Sequence, residues 1–175
     1  MTAAKRWTPW LCAYTGARIA ELTQLRKEDV RREGLINYLR ITPDAGSVKS
    51  GDYRDVPIHP HLVELGFLDF VDAAGAGPLF YIQSHRRRAT SVPAQQVAGR
   101  VSRWLQALNV VPEGVQPNHG WRHRFKPVAR ELSLDGRVVD AIQGHAPRTA
   151  GEDYGDVTLK ACSRQIDRMP RYDIR

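Results

Sequence analysis

Gly34-Leu35-Ile36-Asn37-Tyr38-Leu39-Arg40-Ile41 interrupts the helical period that governs most of the chain. After Gly34 the sequence turns to Ile, Tyr and Leu over a short run, the pattern of a strand. Pro43 to Gly51 is rich in turn residues, and Arg54-Asp55-Val56-Pro57-Ile58 reads as a further strand. Residues 35–58 therefore predict a small antiparallel sheet. Helical spacing surrounds it. Residues 7–15 predict a short helix stopped by Gly16, and Ile19, Leu22 and Leu25 mark a second. Beyond the sheet, Pro60 starts a helix carrying Leu62, Leu65, Leu68 and Val71. Leu79 to Ile82 is extended, and residues 94–108 are helical. Pro117-Asn118 caps a helix from about His119 to Leu132, and Leu134 to Ile142 forms another, ended by Gly144. Residues 148–154 read as irregular, and Leu159, Cys162, Ile166 and Met169 mark a last amphipathic helix. The expected class is mainly α with a small antiparallel β-sheet (α+β), in one domain of 175 residues.

Composition narrows the functions. Hydrophobic residues are 42% and charged residues 26%, which excludes wholesale disorder, collagen-like repeats and a disulfide scaffold. The apolar runs are too short to cross a bilayer, and no signal-peptide stretch follows Met1. Lys and Arg total 26 against 19 acids, for a net charge of +7, with 21 of those cations being Arg. A basic domain attracts polyanions, and forked guanidiniums suit phosphate. Codon usage alone would explain an Arg excess equally well. Cys12 and Cys162 have no metal-type spacing and read as buried thiols in a reducing cytoplasm.

Four segments could carry chemistry. In Tyr14-Thr15-Gly16-Ala17-Arg18-Ile19-Ala20-Glu21-Leu22, Arg18 follows a tight turn; its plainest reading is a surface ion pair with Glu21. In Pro117-Asn118-His119-Gly120-Trp121-Arg122-His123, His119 and Arg122 share a helix face near an N-terminus, where backbone N–H groups favour an anion. His119 and His123 have the spacing of a zinc helix, but Gly120 stands where its Glu would be. Gly144-His145 precedes Tyr154, in the polar setting Gly151-Glu152-Asp153-Tyr154-Gly155, by nine residues. Lys49 and Arg54 lie on the turn between strands, where a solvated hairpin tip is the ordinary explanation.

The order of these features, over residues 10–157, resembles the tyrosine recombinase (phage integrase) family. The specific strings are Thr-Gly-x-Arg-x-x-Glu-Leu, His-x-x-Arg-His and the Gly-His-to-Tyr spacing. The resemblance implies the catalytic-domain fold of that family and the following roles. Arg18 and Arg122 clamp a scissile phosphate, Lys49 protonates the leaving 5′-oxygen, His119 and His145 are the active-site histidines, and Tyr154 is the nucleophile. His123 supports the second arginine, and Glu21 and Arg54 match recurrent positions without a catalytic role. Trp121 and Gln143 depart from the family pattern, each standing where Leu is usual. The resemblance also implies that residues 1–175 are a single catalytic domain without the N-terminal core-binding and arm-binding domains.

The implied reaction explains the residue types. A phosphorane-like transition state gathers negative charge, which two guanidiniums and histidine N–H groups stabilise. Guanidiniums then stand in place of metal ions, so no metal and no cofactor are expected. A lysine supplies the leaving group's proton, and His119 takes the proton of the Tyr154 phenol. Arg86, Arg87 and Arg88 form a basic run suited to DNA backbone contacts, or else a solvated loop. The expected partner is double-stranded DNA, bound as a homo-tetramer by full-length relatives, with the isolated domain a monomer. No membrane is expected, and the location is cytoplasmic, bacterial or phage-encoded. Type IB topoisomerase-like relaxation and a catalytically idle DNA-binding remnant are the alternatives.

Overall fold

The computed structural model describes residues 1–49, 51–82, 93–145 and 157–173. It is mainly helical, with one three-stranded antiparallel sheet. Helix α1 (Thr2–Thr15) starts well before the expected residue 7. Ala3, Ala4, Lys5 and Arg6 are strong helix formers, Ala4 is fully buried, and Pro9 is accommodated inside the helix. Gly16 ends it in the left-handed conformation (φ +59°), and the short α2 (Ile19–Thr23) follows.

The sheet holds one strand more than the sequence suggested. β1 (Val30–Glu33) pairs with β2 (Ile36–Ile41), which pairs with β3 (Arg54–Pro57). β1 leaves no strand signature in the sequence, because Arg31, Arg32 and Glu33 are all exposed and show no apolar alternation. On β2, Leu39 and Ile41 turn into the core, while Arg40 points away and forks onto its cross-strand partner Asp55 at 2.7 and 2.8 Å.

The helix expected from Pro60 is two helices. α3 (Pro60–Glu64) and α4 (Phe67–Ala73) are separated by Gly66 at φ +84°. Residues 79–82 form no strand; the Arg26–Pro78 bridge and the Leu79 N–H bond to the Leu25 carbonyl tie this stretch down, and Leu79 and Phe80 are buried in the core. α5 (Pro93–Ala107), α6 (His119–Glu131), α7 (Gly136–Gln143) and α8 (Leu159–Ile166) lie where helical spacing placed them.

α1 packs on α6, α2 and α5, which brings Gly16 against the middle of α6. α8 buries Cys162 and Ile166 against β3 and α7 of its own chain. Cys12 and Cys162 are both free, buried thiols, and burial pushes Cys162 up to about 11 and Cys12 higher still. No helix among the described residues is long and apolar enough to cross a membrane.

Candidate active site

The Gly16 turn fixes the first wall. A Cβ at Gly16 would stand 2.5 Å from Gln143 Nε2 and 2.9 Å from Phe125 Cγ, so the backbone approaches α6 and α7 as only glycine permits. Arg18, two residues on, is extended, and the Glu21 carboxylate folds back to accept its backbone N–H and its Nη1, each at 3.2 Å. Glu21 is buried, yet two arginines hold it in the ionised form. Burial works to raise its pKa, and Arg54 and Arg18 outweigh that and lower it. Arg54, from β3, donates Nη2 to Glu21 at 2.5 Å and Nε to the Ile142 carbonyl at 3.1 Å. The Arg18–Glu21 ion pair of the plainest reading therefore exists, with Arg54 as an added member.

Arg122 is the centre of the site. Its side chain is 6% exposed, and its Nη1 donates to the carbonyls of Gly16 and Gln143, both at 2.7 Å. Its Nη2 is buried and has no hydrogen-bond partner among the described residues. Burial first, then the neighbouring Arg18 charge, lowers Arg122 to about 10, which leaves it charged at neutral pH. Gln143 completes the frame by donating its side-chain amide to the Arg122 carbonyl at 3.1 Å. The residue standing where Leu is usual thus ties α7 to α6.

His119 opens α6, with its ring edge-on to His123 at 4.6 Å. Burial, and then the charges of His123, Arg122 and Arg18, hold it below the ordinary histidine range. The expected backbone anion site at this helix end is not built from its first residues. The N–H groups of His119 and Gly120 both bond the Gln116 carbonyl, at 3.0 and 3.1 Å. Asn118 is no side-chain cap either, for it donates instead to Ser102 Oγ at 2.7 Å.

α7 ends in a Schellman turn at Gly144 (φ +68°): the Gly144 N–H bonds the Ala141 carbonyl and the His145 N–H bonds the Asp140 carbonyl. This turn delivers His145 beside Asp140, which also binds Lys126 at 2.6 Å.

Arg18, His119, Arg122 and His145 are thus brought together. Arg122 and His119 both feel the Arg18 charge, and His145 feels that of Arg122. Lys49 is exposed on the β2–β3 connection, and no hydrogen bond or ion pair among the described residues joins it to this group. Tyr154 and the basic run Arg86, Arg87 and Arg88 lie outside the described residues, as does the irregular stretch 148–154. Sequence reasoning passed over Asp140 and Lys126, whose pairing depends on the packing of α6 against α7.

No family model matches the chain. It is 26% identical over 155 residues to the tyrosine recombinase XerA of Pyrococcus horikoshii, covering 87% of this chain and 50% of that protein. XerA of Pyrococcus furiosus is 26% identical over 156 residues, covering 88% and 50%. The integrase from mycobacterium phage Brujita superimposes with TM-score 0.65 at 20% identity, over 99% of this chain and 54% of that one. The chain resembles the tyrosine recombinases. A second recombinase fold, XerH solved with its difH substrate in a pre-cleavage complex, matches with TM-score 0.58 at 21% identity, over 83% and 40% of the two chains. The helical architecture with its small sheet is the tyrosine recombinase catalytic-domain fold. The chain spans about half the length of the curated recombinases it matches.

Proposed function

We propose that residues 1–175 act as the catalytic domain of a site-specific recombinase on double-stranded DNA, as in integration or excision of a prophage or mobile element. Arg122 is the observation that carries the reading. It is charged, immobilised through Nη1, and carries an Nη2 without a partner among the described residues, beside Arg18, His119 and His145. A guanidinium fixed in advance, with free donor capacity among other cations, stabilises a phosphorane-like transition state without reorganising.

In this mechanism the Tyr154 phenolate oxygen attacks the scissile phosphorus and His119 takes the phenolic proton. The bond to the 5′-oxygen breaks as Lys49 protonates that oxygen. The 3′-phosphotyrosyl link keeps the energy of the diester, so a new 5′-hydroxyl reverses the step without ATP. Arg86, Arg87 and Arg88 contact the backbone without reading sequence, and their replacement by Ala weakens binding to every sequence about equally. Loss confined to one sequence would contradict that role. On this reading the domain works on DNA as part of a homo-tetramer of the full-length protein and is a monomer alone.

The test is incubation with nicked duplexes of randomised flanking sequence, followed by denaturing electrophoresis. A covalent protein–DNA band that Tyr154→Phe abolishes supports the mechanism; a band that survives this substitution removes Tyr154 as nucleophile. Gel-shift binding with no adduct favours an idle DNA-binding module. Relaxation of supercoiled plasmid without strand exchange favours a topoisomerase-like activity.

A further inference from the structure

One residue holds His145 from two sides. The Asp140 carbonyl accepts the His145 backbone N–H at 2.9 Å, and Asp140 Oδ1 meets the imidazole Nδ1 at 3.0 Å. The same carboxylate oxygen binds Lys126 Nζ at 2.6 Å. Burial works against charge on Asp140, but the bonds from Lys126 and His145 prevail and keep it ionised. An ionised carboxylate only accepts, so Nδ1 must carry the hydrogen. A neutral His145 then has a bare lone pair on Nε2 and offers no donor there. It can donate from Nε2 only as an imidazolium.

The charges around the ring are opposed. Asp140 on α7 favours the imidazolium. Burial, Arg122 and Lys126 on α6 disfavour it, and together they hold His145 below the ordinary histidine range. Arg54 of β3 lies against the adjoining Gly144. Without an anion the ring is therefore neutral near pH 7.

We propose that Asp140 and Lys126 are positioning residues that fix Nδ1 as the donor edge of His145 and set the ring to gain a proton when a phosphodiester enters the Arg18–Arg122 site. This rests on the strand-transfer reading only for the identity of the anion. The arriving phosphate adds negative charge, Nε2 takes a proton from solvent, and the new N–H donates to a phosphate oxygen. Neither Asp140 nor Lys126 touches the reacting atoms. Lys126 lies one turn beyond Arg122 on α6, so it restrains the carboxylate and opposes protonation until the anion arrives.

Histidine-ring NMR titration of the whole chain tests this, with the His145 signal identified by its loss in His145→Gln. In the free protein, Asp140→Asn moves the His145 midpoint to lower pH, Lys126→Met moves it to higher pH, and Asp140→Glu restores it. A short duplex moves the wild-type midpoint upward. A purely structural ion pair would leave the His145 midpoint unmoved by the duplex, so a wild-type midpoint that the duplex does not raise, or single-variant shifts that are absent or of one sign, overturn the proposal. If the midpoints move as stated and no DNA forms an adduct, the positioning pair stands and the strand-transfer reading falls. If adducts form and the midpoints stay still, the reverse holds.

Discussion

Arg122 Nη1 meets the Gly16 carbonyl oxygen at 2.7 Å across 106 residues of sequence. This bond joins the turn after α1 to α6, and it fixes the direction of the guanidinium before any ligand is present. Arg122→Lys keeps a charge but loses the planar guanidinium whose Nη1 serves two carbonyls while Nη2 keeps a spare donor. Adduct formation is expected to fall about 10²–10³-fold. Urea denaturation is expected to show a loss of about 1–3 kcal/mol from the carbonyls left without a donor.

Gly144→Ala tests the second turn. A Cβ there would lie 2.7 Å from both Cζ and Nη1 of Arg54, a side chain already tied to Glu21 and Ile142. Left-handed backbone alone costs about 1–3 kcal/mol for a residue other than glycine. Chemical denaturation should show at least that loss, together with weakened DNA binding as Arg54 is displaced. Unchanged stability would mean that Arg54 moves aside freely.

Glu21→Ala leaves Arg18 and Arg54 facing each other without their shared carboxylate. Removing one partner of a buried ion pair costs about 3–5 kcal/mol. In a double-mutant cycle with Arg54→Met, the combined loss is expected to be smaller than the sum of the single losses, because the second change removes a stranded charge. Strict additivity would show that the pair is not coupled.

Much of this arrangement was legible in the sequence. Gly16, Gly144 and the apolar spacing of α5 to α8 marked where helices stop and which faces they bury. The resemblance to the tyrosine recombinases grouped Arg18, Lys49, His119, Arg122, His145 and Tyr154; Arg18, His119, Arg122 and His145 lie together, Lys49 has no bond to them among the described residues, and Tyr154 lies outside those residues. Other parts left no local trace. β1 is a polar edge strand defined only by its partner, and Gly66 divides a continuous apolar pattern through backbone geometry alone. Gln143 looked like a neutral departure from a Leu, yet its amide and carbonyl both serve Arg122. Lys126 and Asp140 lie 14 positions apart, and only the packing of two helices makes them neighbours.

Acid is expected to loosen a second cluster. His59 Nε2 donates to the Met169 carbonyl at 3.0 Å while its Nδ1 accepts the His61 N–H. The Tyr14 hydroxyl bonds His61 Nδ1 at 2.6 Å and accepts the Tyr172 N–H. His59 is therefore used as a neutral imidazole. Burial lowers both histidines, Arg171 adds to that effect, and Asp167 opposes it at His59. The folded chain thus binds fewer protons here than the unfolded chain. Stability is full above the unfolded value near 6.5 and declines as pH falls through it toward the lowered folded values. Thermal melts from pH 7.5 to 5 should show a falling Tm, about 2–4 °C for each kcal/mol lost, and His61→Gln should flatten the slope. A Tm that rises on acidification would reverse the sign of this linkage.

The Tyr172–Tyr14 contact has a practical corollary for reagent design. Tyr14 precedes Gly16 by two residues, so a bulky reporter fused just behind Tyr172 would tug on the helix that orients the central guanidinium. A fluorophore or affinity handle attached at the exposed Met1 avoids that lever, and matched fusions at the two positions would reveal any artefact it introduces.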